Sequence, residues 1–546
     1  MARGLLVSFA GYPVMISSFF PDNGLASLAG TLLAHGHEVK VLDFNTSDSL
    51  VGLVPAERSR QLEELMPLLS GPTDREAQTL FYEIDEALDA DLILFAREMA
   101  DRLTAEVEAQ KSDFIGFKLW SGDGFVASVR AAEMLKHRFP AIRVYGGGPA
   151  VLYSEETIFE YTGAFDALVD GEGEEAIIGL AESISGSRDL ADVPNLILRD
   201  GASIRRTARS FVVDLDELAL PSYSPEVYPS LRGDRQIKLF VIDESRGCPM
   251  GCAFCTHRNA TGRRWRTKSS RRFLNEAESL NRDFGCSQIR LGGSYTPMSF
   301  FEGIIDCVGR NGTSFHFSGF AHPDGIPLDR VEDMATAGCR SLFFGVESFV
   351  PADQEMLGKR IEPQHAVNAI RKCQEAGIVP GIAMIVPLPG QSPSAREKNL
   401  SNLLELAAAG AALVMVTIPG LLPRTPWFQE RSRYGFKLNV AEDEYRSLLS
   451  QYKIRHVLPP AMWEPLPYEL DGNRFQQICG ICASFQSELT KEGILTNIPD
   501  ELVLVAESRG ESLGACREWH REMLLKMDAC RWSGLIADTN RSLEAS

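Results

Sequence analysis

The stretch Ser245-Arg246-Gly247-Cys248-Pro249-Met250-Gly251-Cys252-Ala253-Phe254-Cys255 places three of the chain's eleven cysteines in one short loop. Three thiolates at spacings of four and three residues can wrap a single iron–sulfur cube. A closed cube takes four thiolates, one for each iron. The next cysteine, Cys286, lies far downstream at a helix-to-strand turn. One iron is thus left open for a small molecule, by the logic that separates catalytic from closed zinc sites. Two plainer readings stand beside this one. A structural zinc site would normally pair two CxxC-like elements, and no second one is nearby; the other alternative is buried, unligated thiols.

Immediately upstream, Leu239–Val241 reads as a strand and opens a strand–helix series. Later strands are predicted at Gln288–Leu291, Ser314–Phe317, Ser341–Gly345, Gly381–Val386 and Leu413–Ile418. Six strands alternating with helices predict a partial or full parallel barrel over residues 239–430, (β/α)6 if partial. Residues 1–190 read as a separate α/β unit. Its strands are expected at Leu5–Ala10, Val39–Leu42, Phe114–Lys118, Val144–Tyr145 and Ala167–Val169, with an acidic helical insertion over 47–111. Ligands of such sheets collect beyond the carboxyl ends of the strands. Pro194, Pro221, Pro225 and Pro229 mark residues 191–238 as a linker with a few short strands. Residues 431–546 are expected to be mainly helical and to cap the barrel, with Trp463, Trp519 and Trp532 as apolar substrate contacts.

Composition narrows the function classes. Hydrophobic residues are 44% and charged residues 24%, the balance of a globular chain of 546 residues. With 55 basic against 74 acidic side chains the formal charge is −19, which disfavours general nucleic-acid binding. The apolar run Leu5–Phe20 after Arg3 has a superficial likeness to an export signal, but Gly11, Tyr12 and Pro13 interrupt it. No uninterrupted apolar stretch is long enough for a membrane helix. Eleven cysteines, clustered as they are, point to metal chemistry in a reducing, cytoplasmic setting.

The cysteine loop and the segments after it resemble the radical S-adenosylmethionine (radical SAM) superfamily. Leu291-Gly292-Gly293-Ser294 resembles the family's second-strand glycine pair, with Ser294 where an acid commonly holds the methionyl amine. Phe344-Gly345-Val346-Glu347-Ser348 looks like its fourth-strand GVES element; Met384–Gln391 and Pro423-Arg424-Thr425-Pro426 resemble later segments. The resemblance makes Cys248, Cys252 and Cys255 ligands of a [4Fe-4S] cluster. It seats S-adenosylmethionine against Phe254, Gly292, Gly293, Ser294 and Glu347.

Set before such a barrel, Gly146-Gly147-Gly148-Pro149 and Asp170-Gly171-Glu172-Gly173-Glu174 resemble the Rossmann-like cobalamin-binding domain of the cobalamin-dependent subgroup, class B methyltransferase type. On that resemblance Gly147, Gly148, Gly171, Glu172, Trp120 and Ser121 contact cobalamin, although simple packing explains Trp120 as well. The Asp-x-His-x-x-Gly element that ligates cobalt from below is not present. The subgroup implies a methyltransferase that moves a methyl group from S-adenosylmethionine by way of methylcobalamin to a carbon of a small molecule or peptide. A flavodoxin or ferredoxin would supply electrons. Cyclisation or rearrangement without methylation, and non-radical methyl transfer, use the same cofactors.

Two features stay open. Seven basic residues between Arg258 and Arg272, with no acid among them, are either an anion clamp or a solvated loop. Cys479, Cys482, Cys516, His520 and Cys530 are either a second metal site or buried helix residues.

Overall fold

The computed structural model describes residues 1–70, 75–201, 203–309, 312–359, 361–453, 458 and 462–545. Residues 71–74 of the expected insertion, and 454–457, 459–461 and 546 of the expected C-terminal region, lie outside the described residues.

The first sheet contains β1 (Arg3–Ser8), β2 (Glu38–Asp43), β3 (Phe114–Lys118), β4 (Arg143–Gly147), β5 (Ala167–Val169), β6 (Leu196–Asp200) and β7 (Ser203–Arg206). Their order is β2-β1-β3-β4-β5-β6-β7. The first five run parallel, while β6 and β7 are antiparallel additions. Leu5, Leu6 and Val7 are all buried, as a strand covered on both faces requires. The chain winds outward in both directions from β1 and β3, and that reversal opens a crevice at their carboxyl ends. β6 and β7 lie in the stretch expected as a linker, so this sheet runs on to Arg206.

The insertion is dominated by one helix, Arg75–Gln110. Phe81, Ile84, Leu88, Leu92, Phe95, Met99 and Leu103 recur every three or four residues and are buried in the core beneath the sheet.

The second sheet is wholly parallel. It runs β8 (Phe240–Ile242), β11 (Gln288–Leu291), β12 (His316–Ala321), β13 (Cys339–Glu347), β14 (Val379–Ile385), β15 (Leu413–Thr417) and β19 (Leu495–Thr496). Six of these are the expected barrel strands in chain order. β19 comes from the C-terminal region and pairs with the edge of β15. Between β8 and β11, a short hairpin of β9 (Ser245–Arg246) and β10 (Arg266–Thr267) frames the cysteine loop. Asp500 is buried against the barrel, where it accepts from Arg290 Nε at 3.1 Å and Ser318 Oγ at 2.8 Å.

The C-terminal region is mostly helical, as expected. It also carries a small antiparallel sheet of β16 (Phe436–Leu438), β17 (Tyr468–Leu470) and β18 (Asn473–Arg474). Strands of two or three residues are too short to show an alternating pattern. Trp532 packs on Phe19 of the first domain with ring centroids 4.4 Å apart, and Trp519 Nε1 donates to Glu511 at 2.8 Å. Trp463 Nε1 donates to the Leu458 carbonyl at 3.0 Å. All three tryptophans are thus engaged within the chain's own packing. Among the described residues, no helix is long and apolar enough to cross a membrane.

Candidate functional site

Gly247 starts the cysteine loop with φ +83°, and a β-carbon there would lie 2.1 Å from the Arg264 carbonyl oxygen, so only glycine fits. The loop is then pinned on three sides. Cys248 N–H donates to Gly262 O at 3.1 Å, Ala253 N–H to Leu357 O at 2.7 Å, and Trp427 N–H to Ala253 O at 3.0 Å. Phe254 lies over Trp427 at 5.6 Å between ring centroids. Cys252 is buried and Cys248 and Cys255 are half-buried. Burial raises all three thiols, Cys252 to about 12, while Lys359 pulls each of them back. Such thiols give up their protons when a metal supplies the compensating charge.

The strand ends around the loop carry the remaining groups. A β-carbon on Gly292 would meet Asp243 Oδ1 at 2.5 Å; one on Gly293 would meet Ser245 Oγ at 2.1 Å and Glu244 Oε1 at 2.2 Å. The glycine pair is therefore demanded first by the loop packed on it. Glu244, fully buried, accepts from Gly293 N–H at 2.9 Å, Thr296 Oγ1 at 2.8 Å and Ser245 Oγ at 2.9 Å. Ser294 Oγ stands 2.8 Å from His257 Nδ1.

Glu347 ends β13 with φ +65° and accepts from Lys359 Nζ at 3.1 Å. Both side chains are buried. Burial pushes the Glu347 carboxyl up and Lys359 only partly offsets it. At the end of β12, His322 Nδ1 accepts from Asp324 N–H at 3.2 Å. Burial, with Lys359 adding to it, lowers the ring's pKa to about 4, so the neutral ring carries its proton on Nε2. That nitrogen is buried without a protein partner. A ligand oxygen in the barrel mouth would satisfy it, and this orphaned donor beside the cysteine loop suits a polar molecule such as S-adenosylmethionine.

In the first domain, a cavity of about 310 Å³ runs from the carboxyl ends of β3, β4 and β5 down between the sheet and the helices Asn23–Ala34 and Glu174–Ile184. Its lining includes Gly147, Gly148, Gly171 and Glu172, above an apolar slot of Leu6, Leu28 and Leu180. A β-carbon on Gly147 would find no atom nearer than 3.6 Å, so backbone is bare to the cavity there. A glycine rim over a narrow apolar slot fits a large flat group with a slender tail, as cobalamin has. Trp120 and Ser121 are not among the lining residues. Trp120 Nε1 donates to Ser8 Oγ at 3.1 Å, and its ring carries Lys118 Nζ at 4.3 Å. Lys118 itself lines the cavity and pairs with Asp22 at 2.8 Å.

The barrel contributes Asp243, Arg246, Ala260 and Thr261 to the same cavity. Glu172, expected at the ligand, is held instead by Arg266, whose guanidinium donates at 2.9 and 2.7 Å, and by Val212 N–H at 2.7 Å. Arg246 donates to Glu174 at 2.7 Å and to Asp243 at 3.2 Å. Arg424 bridges Asp170, at 2.8 Å, and Glu155. Three arginines thus fasten the first domain to the cysteine-loop side of the barrel. Arg266 and Lys268 of the basic run are internal: Lys268 pairs with Glu276 at 2.5 Å. The sequence offered the run but not the buried partners that divide it.

Burial pushes the Glu174 carboxyl up, yet Arg246 outweighs it and holds the group below its ordinary value; Arg424 does the same for Glu155. A depressed carboxylate stabilises the fold above its ordinary pKa and loses that contribution as pH falls through the lowered one. The gap in urea midpoint between wild type and Glu174→Gln is therefore expected to be widest near neutral pH and to close in acid, as pH falls through the lowered carboxylate pKa. A gap independent of pH would contradict it.

Among the C-terminal cysteines, Cys479 and Cys482 sit one turn apart on the helix Phe475–Lys491 but are buried in two different cores, Cys516 is in a third, and Cys530 is exposed. His520 Nε2 accepts from Ile16 N–H at 3.0 Å.

Comparison with known proteins agrees with this geometry. The radical SAM superfamily model matches residues 244–403. An uncharacterised methyltransferase of Pyrococcus horikoshii is 26% identical over 291 residues, 52% of this chain and 63% of that protein. The cobalamin-dependent radical SAM methyltransferase TokK of Streptomyces tokunonensis is 28% identical over 198 residues, 34% of this chain and 27% of its own. These matches span less than two thirds of either relative. The solved structure of the methyltransferase TsrM from Kitasatospora setae, with cobalamin and a [4Fe-4S] cluster bound, covers 100% of both chains at TM-score 0.63 and 16% identity. Residues 244–403, with the cysteine loop at the head of the parallel barrel, are thus a radical S-adenosylmethionine domain, and the chain around it has the two-sheet fold of the solved TsrM structure.

Proposed function

We propose that the protein is a cobalamin-dependent radical SAM methyltransferase acting on a carbon of a small molecule or peptide. One observation supports this most: Arg246, two residues before Cys248, lines the glycine-rimmed cavity together with Asp243 just before the cysteine loop and Ala260 and Thr261 just after it. Cys248, Cys252 and Cys255 would hold the cluster. Gly292, Gly293, Glu347 and the His322 Nε2 donor would seat S-adenosylmethionine, and Gly147, Gly148 and Gly171 would face the corrin. When bound, the cluster and S-adenosylmethionine supply reductive bond cleavage, and cobalamin carries the methyl group. The chain's own work is to hold these groups at one interface and keep water from them. Lys359 places a positive charge beside the three thiolates, and the Arg246, Arg266 and Arg424 pairs fix the distance between the two ligand sites.

The test uses protein purified without oxygen from cells supplied with cobalamin. Iron, sulfide and cobalt are quantified per chain, and the protein is then incubated with reductant, S-adenosylmethionine and a panel of substrates. About four irons, one cobalamin and a product heavier by one CH₂ are expected. Iron without cobalt would sink the cobalamin reading. A product lighter by hydrogens would replace methylation by oxidative cyclisation.

A further inference from the structure

Within the basic run, pairing is uneven. Arg266 and Lys268 are buried and engaged, and Arg272 donates to Leu218 O at 2.7 Å. Arg263, Arg264 and Arg271 are exposed, and among the described residues none of them carries an ion pair. On a chain of net charge −19 this is a local reversal of sign. It is also next to the cysteine loop. The Gly262 carbonyl takes the Cys248 N–H, the Arg264 carbonyl packs on Gly247, and Arg258 Nη1 would stand 3.7 Å from a β-carbon on Gly251. Pro249 and Gly251, inside the cysteine loop, are themselves exposed. A protein seated on the arginines would therefore touch the loop that holds the cluster.

We propose that Arg263, Arg264 and Arg271 form the docking surface for an acidic one-electron carrier protein that reduces the cluster. The proposal rests on the reading that Cys248, Cys252 and Cys255 carry a cluster. An acidic carrier is repelled by most of this surface and attracted here, so the field both draws it in and orients it. Balance is simple for a flavin carrier. Its anionic hydroquinone loses one electron to become the neutral semiquinone, the cluster gains that electron, and no proton needs a new home.

The experiment uses the full-length holoprotein with an acidic flavodoxin in its hydroquinone form. Cluster reduction is followed by anaerobic stopped-flow absorbance and by the electron-spin signal of the reduced cluster. The triple variant R263E/R264E/R271E is compared with wild type and with R282E/R433E/R541E, which makes the same charge change at exposed arginines elsewhere. Photoreduced deazariboflavin serves as a small uncharged reductant. Wild type is expected to slow about tenfold or more when ionic strength rises from about 20 mM to about 0.5 M. At low salt the docking variant is expected to be slower than wild type by about tenfold or more. All three proteins should be reduced alike by the deazaflavin. Flavodoxin rates equal for wild type and the docking variant would overturn the proposal, as would an equal loss in the control triple. Wild type that shows no reduced-cluster signal even with the deazaflavin would overturn the cluster reading, a failure distinct from the others.

Discussion

Cys255→Ala is expected to empty the cluster site: iron falls from about four per chain to background, and cleavage of S-adenosylmethionine falls by at least about 10³-fold, or ~4 kcal/mol at 1.36 kcal/mol per decade. The loop should survive the change. It is held by backbone bonds from Cys248 N–H to Gly262 O and from Ala253 N–H to Leu357 O, not by the Cys255 side chain. Cys286→Ala is the matched comparison. That thiol is buried and donates to the Gln288 carbonyl at 3.0 Å, so its loss should leave iron content and cleavage unchanged. Iron analysis and 5′-deoxyadenosine yield read both variants. Full iron in Cys255→Ala would mean that the cluster is held some other way.

Arg266→Met is expected to cost about 3–5 kcal/mol, because it strands the buried Glu172 carboxylate. Both side chains are at most 6% exposed, and no water can take over the two lost bonds cheaply. Pairing it with Glu172→Gln removes the stranded charge and should recover a large part of the loss. Urea unfolding of the four proteins of this cycle measures the coupling. Glu172 sits on the cavity rim, so the single variant should also retain less cobalamin per chain. An Arg266→Met protein as stable as wild type would show that this contact does not fasten the domains.

Much of this is legible in the residues. Five strands of the first sheet and six of the barrel are apolar runs closed by polar or glycine turns, and they stand within a few residues of expectation. The third barrel strand departs most. The apolar pattern predicts it at Ser314–Phe317, and it runs from His316 to Ala321. Ser318 and Gly319 weaken the apolar run, but Ser318 is satisfied by Asp500, a partner 182 residues away. The three loop cysteines, Cys248, Cys252 and Cys255, stand out through their spacing. Lys359, His322 and Glu244 carry no such signal, because what distinguishes each is burial beside another strand end. Glu172 shows the reverse case. Its motif lies at the rim of the glycine-lined cavity, yet its carboxylate is turned to Arg266, whose position in space depends on the β9–β10 hairpin.

The seventh barrel strand has a consequence for how the molecule is made. β15 ends at Thr417, and its outer edge is covered by Leu495 and Thr496, with Asn497 and Gln486 taking the Val414 and Val416 backbone groups. During synthesis, the preceding barrel strands leave the ribosome well before that cover exists. For that interval β15 presents an open row of backbone donors and acceptors, the kind of edge that recruits strands from other chains. Ile16 likewise waits for His520, 504 residues downstream. Contacts this distant make folding slow and leave intermediates exposed to aggregation. A nascent chain stalled before residue 495 would be a prime client for chaperones, and yield on expression should respond to them more than the finished fold's stability would suggest.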